Sequence, residues 1–239
     1  METVRIRPGL WRWALPHPDW TPENGKPGGW GQRVGSVYYE PPKGITGPVS
    51  LFDPLISPDA GEAEKIWDTL DRNIKKTSLP IQIFLGNHYH ERSAQEVYER
   101  YKKSPGAKIF AHEKAAPRVS CKITETFHTT RKFDGEIESF PVVDLGPGET
   151  VYFLRNDNAL IFADALIGTA KNRVQVPRAS WAPSSEEGQK LYREQFRASL
   201  RRLLELEISI LLVSHGDPVL QNGRAAFEKA LDSPAWGEE

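Results

Sequence analysis

Cysteine is nearly absent from this 239-residue chain, where Cys121 stands alone. One thiol excludes an internal disulfide framework and a Cys-rich zinc ribbon, and it suits a reducing compartment, so a cytoplasmic location is expected. Long apolar runs are missing too. No stretch approaches the roughly 20 residues that span a bilayer, and the opening METVRIRPGLWRW lacks the charged-then-apolar order of a secretory signal. Neither membrane insertion nor export is expected. An excess of charge is also lacking: the formal net charge is −1, with acids and bases interspersed. Nothing matches the basic footprint of a nucleic-acid binder, and no repeat of solenoid length stands out.

What the chain does have is punctuation, with 19 glycines, 19 prolines and 7 tryptophans, many of them within the first 50 residues. That region reads as turns and short strands. Val34 to Glu40 and Pro48 to Asp53 are β-rich runs joined by PPKGITG, the pattern of a hairpin. Between Pro58 and Lys76 the residues Ala63, Ile66, Trp67 and Leu70 fall at helical spacing. Leu79 to Leu85 is a compact apolar run, the signature of a buried strand, and Ser93 to Tyr101 is helical in composition. Lys108 to Ala111, Glu136 to Val143, Thr150 to Leu154, Ala159 to Ala163 and Ile208 to Val213 are further strand candidates, and Glu113 to Ala116 reads as a helix start. Ser184 with Glu187 forms a capping box ahead of a stripe at Tyr192, Phe196, Leu200, Leu203 and Leu204. Gly223 to Leu231 closes the series as a helix. Two packed sheets with helices outside would bury these faces, and a doubly wound α/β sheet would do so equally well.

Three apolar strands end in polar groups. Asn87-His88-Tyr89-His90-Glu91-Arg92-Ser93 follows the first, Asp164 closes Leu160-Ile161-Phe162-Ala163, and Ser214-His215-Gly216-Asp217-Pro218 follows the last. In an extended segment His88 and His90 would point to one side, and imidazole is the commonest metal ligand. Each residue also has a plainer reading. His88 and His90 can be surface polar groups, Asp164 a turn or cap, and Arg92 a solvated cation pairing with Glu96. His112 reads as capping or packing, Cys121 as inert. His17 to Trp20, with Trp11 and Trp13, can wall a pocket, but packing is the commoner use of such aromatics.

From about residue 34 to 220 the order of these motifs resembles the metallo-β-lactamase superfamily. The likeness rests on the Gly35 to Asp53 hairpin with its Leu51-Phe52-Asp53-Pro54 end, the His88-x-His90 loop, Pro147-Gly148-Glu149-Thr150, Asp164, and His215-Gly216-x-Pro218. The resemblance implies one four-layer αββα sandwich over residues 1–239, two mixed sheets with helices on both outer faces, opening on a Trp/Pro/Gly-rich segment over 1–33. It implies metal ligation by His88, His90, Asp164 and His215, with His90 and Asp164 as catalytic groups. Where the superfamily has an aspartate and a histidine in the loop, this chain has Arg92 and Ser93, and its second motif histidine falls on Leu145. Arginine stays protonated and cannot ligate, so at most one zinc, iron or manganese ion is expected, and Arg92 becomes a substrate-binding candidate.

Three functional readings stay open. One is a mononuclear metal-dependent hydrolase of an ester, amide or phosphoester. Another is a metal-free, catalytically inactive relative whose cleft binds a small anionic ligand or a protein partner. In the third, His90 acts as a general base beside Arg92 as an anion clamp.

Overall fold

A computed structural model describes residues 2–26 and 29–238, so residues 1, 27 and 28 of the Trp/Pro/Gly-rich 1–33 segment lie outside the described residues. Seven strands form the first sheet: β1 (Glu2–Arg7), β2 (Leu10–Pro16), β3 (Arg33–Tyr39), β4 (Val49–Phe52), β5 (Ile81–Phe84), β6 (Ala107–His112) and β7 (Glu125–Phe127), in that spatial order. The first four pair antiparallel and the last four parallel. Parallel neighbours need a crossover, and α1 (Ala60–Thr77) and α2 (Ala94–Tyr101) supply it after β4 and β5. The second sheet holds β8 (Arg131–Phe133), β9 (Ile137–Pro141), β10 (Thr150–Leu154), β11 (Ala159–Phe162) and β14 (Ile210–Val213), ordered β14-β11-β10-β9-β8. A small ribbon, β12 (Ile167–Ala170) and β13 (Arg173–Gln175), precedes a broken helix.

Side-chain alternation sorts the strands into layers. On β10, Tyr152 and Leu154 face the first sheet while Val151 and Phe153 face the outer helices; on β14, Leu212 faces inward and Leu211 and Val213 outward. The inter-sheet core contains Phe52, Phe84, Phe110, Phe133 and Tyr152, with Phe84 at ring-centroid distances of 4.9–5.3 Å from the other four. A second core lies under α1 and α2, where Ile66, Leu70, Ile74 and Val97 cover Ile81 and Ile83. A third packs Phe196, Leu200, Leu203 and Phe227 against Phe162 and Leu211. Helices thus cover both outer faces of two mixed sheets, the expected αββα arrangement. Among the described residues no helix is long and apolar enough to cross a membrane.

Local chemistry explains most element ends. Asp59 caps α1 by accepting from the Glu62 N–H, and Lys75 and Lys76 sit in its last turn, where cations suit the helix dipole. The last long helix differs from its expected start. Ser185, not Ser184, caps it by accepting from the Gly188 N–H. It runs as α3 (Glu186–Leu191), a π turn over Tyr192–Phe196, and α4 (Arg197–Arg201), so Phe196, Leu200 and Leu203 of the apolar stripe stay buried, with Tyr192 and Leu204 half-buried, while the backbone loosens by one residue. Glu113 to Ala116 does not start a helix: a short 3-10 turn at Ala116–Arg118, with Pro117 near its head, replaces it. α5 (Gly223–Asp232) follows β14. Strands β1 and β2 use the Pro8-Gly9 turn, with Gly9 at φ +81°, a backbone value that glycine adopts freely. Trp11 and Trp13 pack in the core here, and the Trp13 indole donates to the Leu55 carbonyl.

At one edge the two sheets meet directly. The Gly35 N–H donates to the Ser214 carbonyl, and Val34 bridges His215. Buried Arg12 reaches across to donate to the carbonyls of Val213 and Gly216. A Cβ on Gly35 would lie 2.4 Å from the Arg12 Nε, so only glycine lets that guanidinium pass. From the loop before α2, Arg92 donates through Nη1 to the carbonyls of Gly35 and Asp53, and through Nη2 to the Ser214 hydroxyl.

Two stability outcomes follow from this architecture. Phe84→Ala removes the ring shared by four aromatic neighbours and should cost about 3–5 kcal/mol in urea unfolding; a loss under 1 kcal/mol would contradict the described packing. Arg92→Met keeps the bulk but leaves three acceptors short of a donor. It should cost about 2–4 kcal/mol, read as a lower urea midpoint at unchanged slope.

Candidate metal and ligand site

The polar strand ends converge at that edge. His90 Nε2 lies 3.2 Å from Asp164 Oδ1, and His215 Nε2 lies 3.0 Å from the same oxygen. All three residues are buried, and one donor atom from each falls within 4.8 Å of the others. Asp164 follows β11, His215 follows β14 after Ser214, and β11 and β14 are adjacent parallel strands. Adjacent parallel strands end side by side, which places the carboxylate next to the imidazole.

A carboxylate in this setting needs partners, and every oxygen of Asp164 has one. Its Oδ2 accepts from the Asn87 amide at 2.8 Å. The second Asn87 N–H goes to Glu149 Oε2 at 2.7 Å, and the Asn87 Oδ1 accepts from the Tyr89 N–H. Glu149 Oε1 in turn accepts from the backbone N–H groups of Asp164 and Ala165, both at 2.9 Å. Burial first, then the charge of Asp164, pushes the Glu149 carboxyl up. Burial also acts to raise the Asp164 pKa, yet His90 and His215 outweigh it and hold the group well below the usual carboxylate range.

His90 has a carboxylate on each nitrogen. Nδ1 meets Asp53 Oδ2 at 2.7 Å, and Asp53 Oδ1 accepts from the Gly86 N–H. Burial pulls the His90 pKa down, but Asp53 and Asp164 prevail and lift it to about 9. His215 goes the other way: burial dominates and lowers its pKa. Its Nδ1 is buried without a hydrogen-bond partner. Asp53 and Arg92 both have positive φ, +48° and +43°, conformations uncommon outside glycine and asparagine that mark functional or tightly constrained loops.

His88 is placed differently from expectation. His88–His90 forms a 3-10 turn capped by Asn87, not an extended segment. At three residues per turn, positions i and i+2 point about 120° apart and not to one side. His88 is therefore outside the donor cluster found among the described residues; its ring lies against Tyr89 and its Nδ1 is buried without a partner. Arg92 neither pairs with Glu96 in solvent nor hydrogen-bonds Asp164. Burial lowers its pKa while Asp53 and Asp164 act in the opposite sense.

Above the cluster opens a cavity of about 420 Å³. His90, Asp164, His215 and Arg92 lie at its floor, Val34 and Leu145 are on its walls, and Trp30, Trp181 and Tyr89 border it. His17, also in the lining, is held neutral, because burial foremost and then Arg92 lower its pKa to about 4. Asp53, Asn87 and Glu149 were not singled out by the sequence. The only signal for them was their place at apolar strand ends or turns, as in Leu51-Phe52-Asp53-Pro54.

The donor set suits a metal ion. Two imidazoles and one carboxylate are a common catalytic zinc set, with bonds of about 2.0–2.1 Å that put tetrahedral ligand atoms roughly 3.3–3.4 Å apart. The two O···N distances to Asp164 fall just inside that spacing. A carboxylate on the far nitrogen of a ligating histidine is the usual means of orienting it, and Asp53 occupies that place for His90.

No protein-family model matches the sequence, and no curated protein matches it in sequence. Solved structures do. A metallo-beta-lactamase from Pontibacter korlensis aligns with 98% of this chain and 99% of its own, at 12% identity and a TM-score of 0.64. A metallo-beta-lactamase family protein from Thermus thermophilus aligns over 95% of this chain and 80% of its own, at 16% identity and TM-score 0.61. The Flv1 flavodiiron core from Synechocystis sp. PCC6803 gives a TM-score of 0.65 at 16% identity, over 97% of this chain and 60% of its own. Identities this low speak to architecture alone, and on architecture they agree with the layers described above: this chain has the metallo-β-lactamase fold.

Proposed function

We propose that the protein is a metal-dependent hydrolase working with a single divalent ion held by His90, Asp164 and His215. The observation that carries this reading is the trio of buried donor atoms on the floor of a cavity, backed by Asp53. A bound ion of this kind lowers the pKa of water to near 7 and polarises a carbonyl or phosphoryl oxygen. Asp53 holds the His90 ring with Nε2 toward Asp164, and Asn87 and Glu149 fix the carboxylate from the other side. Leu145 leaves one face of the donor set without a protein ligand, so water or substrate can take it, as catalytic sites require. Arg92 keeps a permanent positive charge beside Asp53 and Asp164.

The metal-free reading draws on one specific observation: Asp164 is already satisfied by His90, His215 and Asn87. A protein with this network can stay folded without an ion and use the cavity for binding alone.

Elemental analysis of protein purified without added metal is expected to find about one equivalent of zinc, iron or manganese per chain. Two tightly held equivalents would overturn the single-ion assignment, and none after metal reconstitution would leave the metal-free reading. Asp53→Asn removes the acceptor charge behind His90 and should weaken metal affinity by about 10–100-fold, measured by competition with a chromophoric chelator. Unchanged affinity would show that Asp53 does not orient His90 for an ion.

A further inference from the structure

The walls of the cavity say more about its ligand than the floor does. Trp30 and Trp181 both meet the His215 ring edge-on, at 5.6 and 5.5 Å between centroids. Each indole is held from behind. Trp30 stands against the His17 ring at 5.2 Å, its backbone N–H donates to the Asn24 carbonyl, and its carbonyl accepts from the Trp20 indole. Trp181 packs on Trp236, and its backbone N–H donates to the Arg178 carbonyl. The third ring belongs to Tyr89, which is 65% exposed and is the one large hydrophobic side chain so exposed among the described residues. It lies over Gly146, where a Cβ would come within 2.8 Å of the ring. Position 146 therefore has to stay small for the ring to lie there. Rigid aromatic walls bind flat apolar groups at little entropic cost, and about 420 Å³ is within the range of small-molecule sites.

Charge narrows the class. Arg92 is the permanent cation of the lining, and its terminal nitrogens are committed to Gly35, Asp53 and Ser214. Its remaining Nε is buried without a partner, out of reach of solvent. Apart from an ion on the donor trio, an anionic ligand would meet no free cation among the described lining residues, and it would pass the exposed carboxylate of Asp19 at the mouth. A cationic ligand would approach Arg92 and, in the hydrolase reading, a metal ion as well. The neutral His17 and the Ser180 hydroxyl are the other polar groups of the rim.

We infer that the cavity takes an uncharged aryl ester or amide, its ring held among Trp30, Trp181 and Tyr89 and its carbonyl over the His90, Asp164 and His215 donors. The inference rests on the hydrolase reading for the ester or amide group, and on the cavity alone for the uncharged aryl group. Calorimetric titration with acetanilide, phenyl phosphate and phenyltrimethylammonium tests it, using the protein as purified and again after chelation. These probes share a ring and differ in charge. Acetanilide should bind most tightly in both preparations. Trp181→Ala should weaken it about tenfold and Trp181→Phe much less, since an aromatic face remains. Tighter binding of either charged probe, no aryl binding, or an unchanged Trp181→Ala affinity overturns the inference. Absence of metal with acetanilide binding intact would sink the hydrolase reading and leave the aryl site standing.

Discussion

The carboxylate of Asp164 sits where two sheets and three loops meet, largely buried at the floor of the cavity, and the surrounding structure is arranged to satisfy it. An isolated buried carboxylate is costly by several kcal/mol. Two imidazoles and an amide answer that cost through its side-chain oxygens, while Glu149 takes up the Asp164 backbone N–H. Each of those groups is anchored in turn: His90 by Asp53, Asn87 by Glu149, His215 by its bridge to Val34. Residues from β4, β5, β10, β11 and β14 thereby depend on one another through a single oxygen pair. A network of this kind is all or nothing, because a member left unpaired in low dielectric costs more than its own bond. The same satisfaction makes the three donors ready for an ion, since a metal would replace one set of favourable contacts with another.

The close approach of the sheets is the second constraint. Gly35 has no side chain, so β3 can donate to the Ser214 carbonyl while Arg12 threads past to the Val213 and Gly216 carbonyls. Arg92 then ties the same carbonyl-rich edge to the loop that carries His90. Two guanidiniums, buried Arg12 and half-buried Arg92, act here as cross-links between strands whose own ladders end at this edge. Burial lowers the pKa of Arg12 to about 10, so it stays protonated at neutral pH. An arginine at position 92 thus does a structural job that needs a fork of donors, which a lysine could not supply with the same geometry.

Above this rigid floor the walls come from the least regular parts of the chain: the segment carrying His17 and Trp30, the turn at Ser180 and Trp181, and the 3-10 turn with Tyr89. Loops on a fixed scaffold commonly carry specificity in this way. The structural relatives share the scaffold at 12–16% identity, and nothing in that likeness carries over to the loops. Function in this chain therefore has to be argued from its own rings and charges.

The layers were legible in the sequence because period-two alternation and apolar strand runs are local properties. Leu79 to Leu85, Thr150 to Leu154, Ala159 to Ala163 and Ile208 to Val213 contain four of the core strands, and Asp164 and His215 were visible as polar ends of two of them. The short strands β7, β8, β12 and β13 were not, since three- and four-residue runs without alternation carry no periodic signal. Nor could the sequence decide between His88 and His90. Both fit a His-x-His motif, and only the Asn87 cap, which winds the segment into a 3-10 turn, puts one among the donors and leaves the other out. Arg92 looked like a surface cation or an anion clamp. Its actual acceptors lie 57, 39 and 122 residues away in the chain. Asp53 and Glu149 lie in motifs that assign them no partner and Asn87 only opens its loop, so their role exists only once β4, β5 and β10 have been folded together. The sequence determined by itself which segments alternate and which strand ends are polar. Partners, protonation and the aromatic walls were decided by the tertiary structure, because each depends on groups brought together from distant parts of the chain.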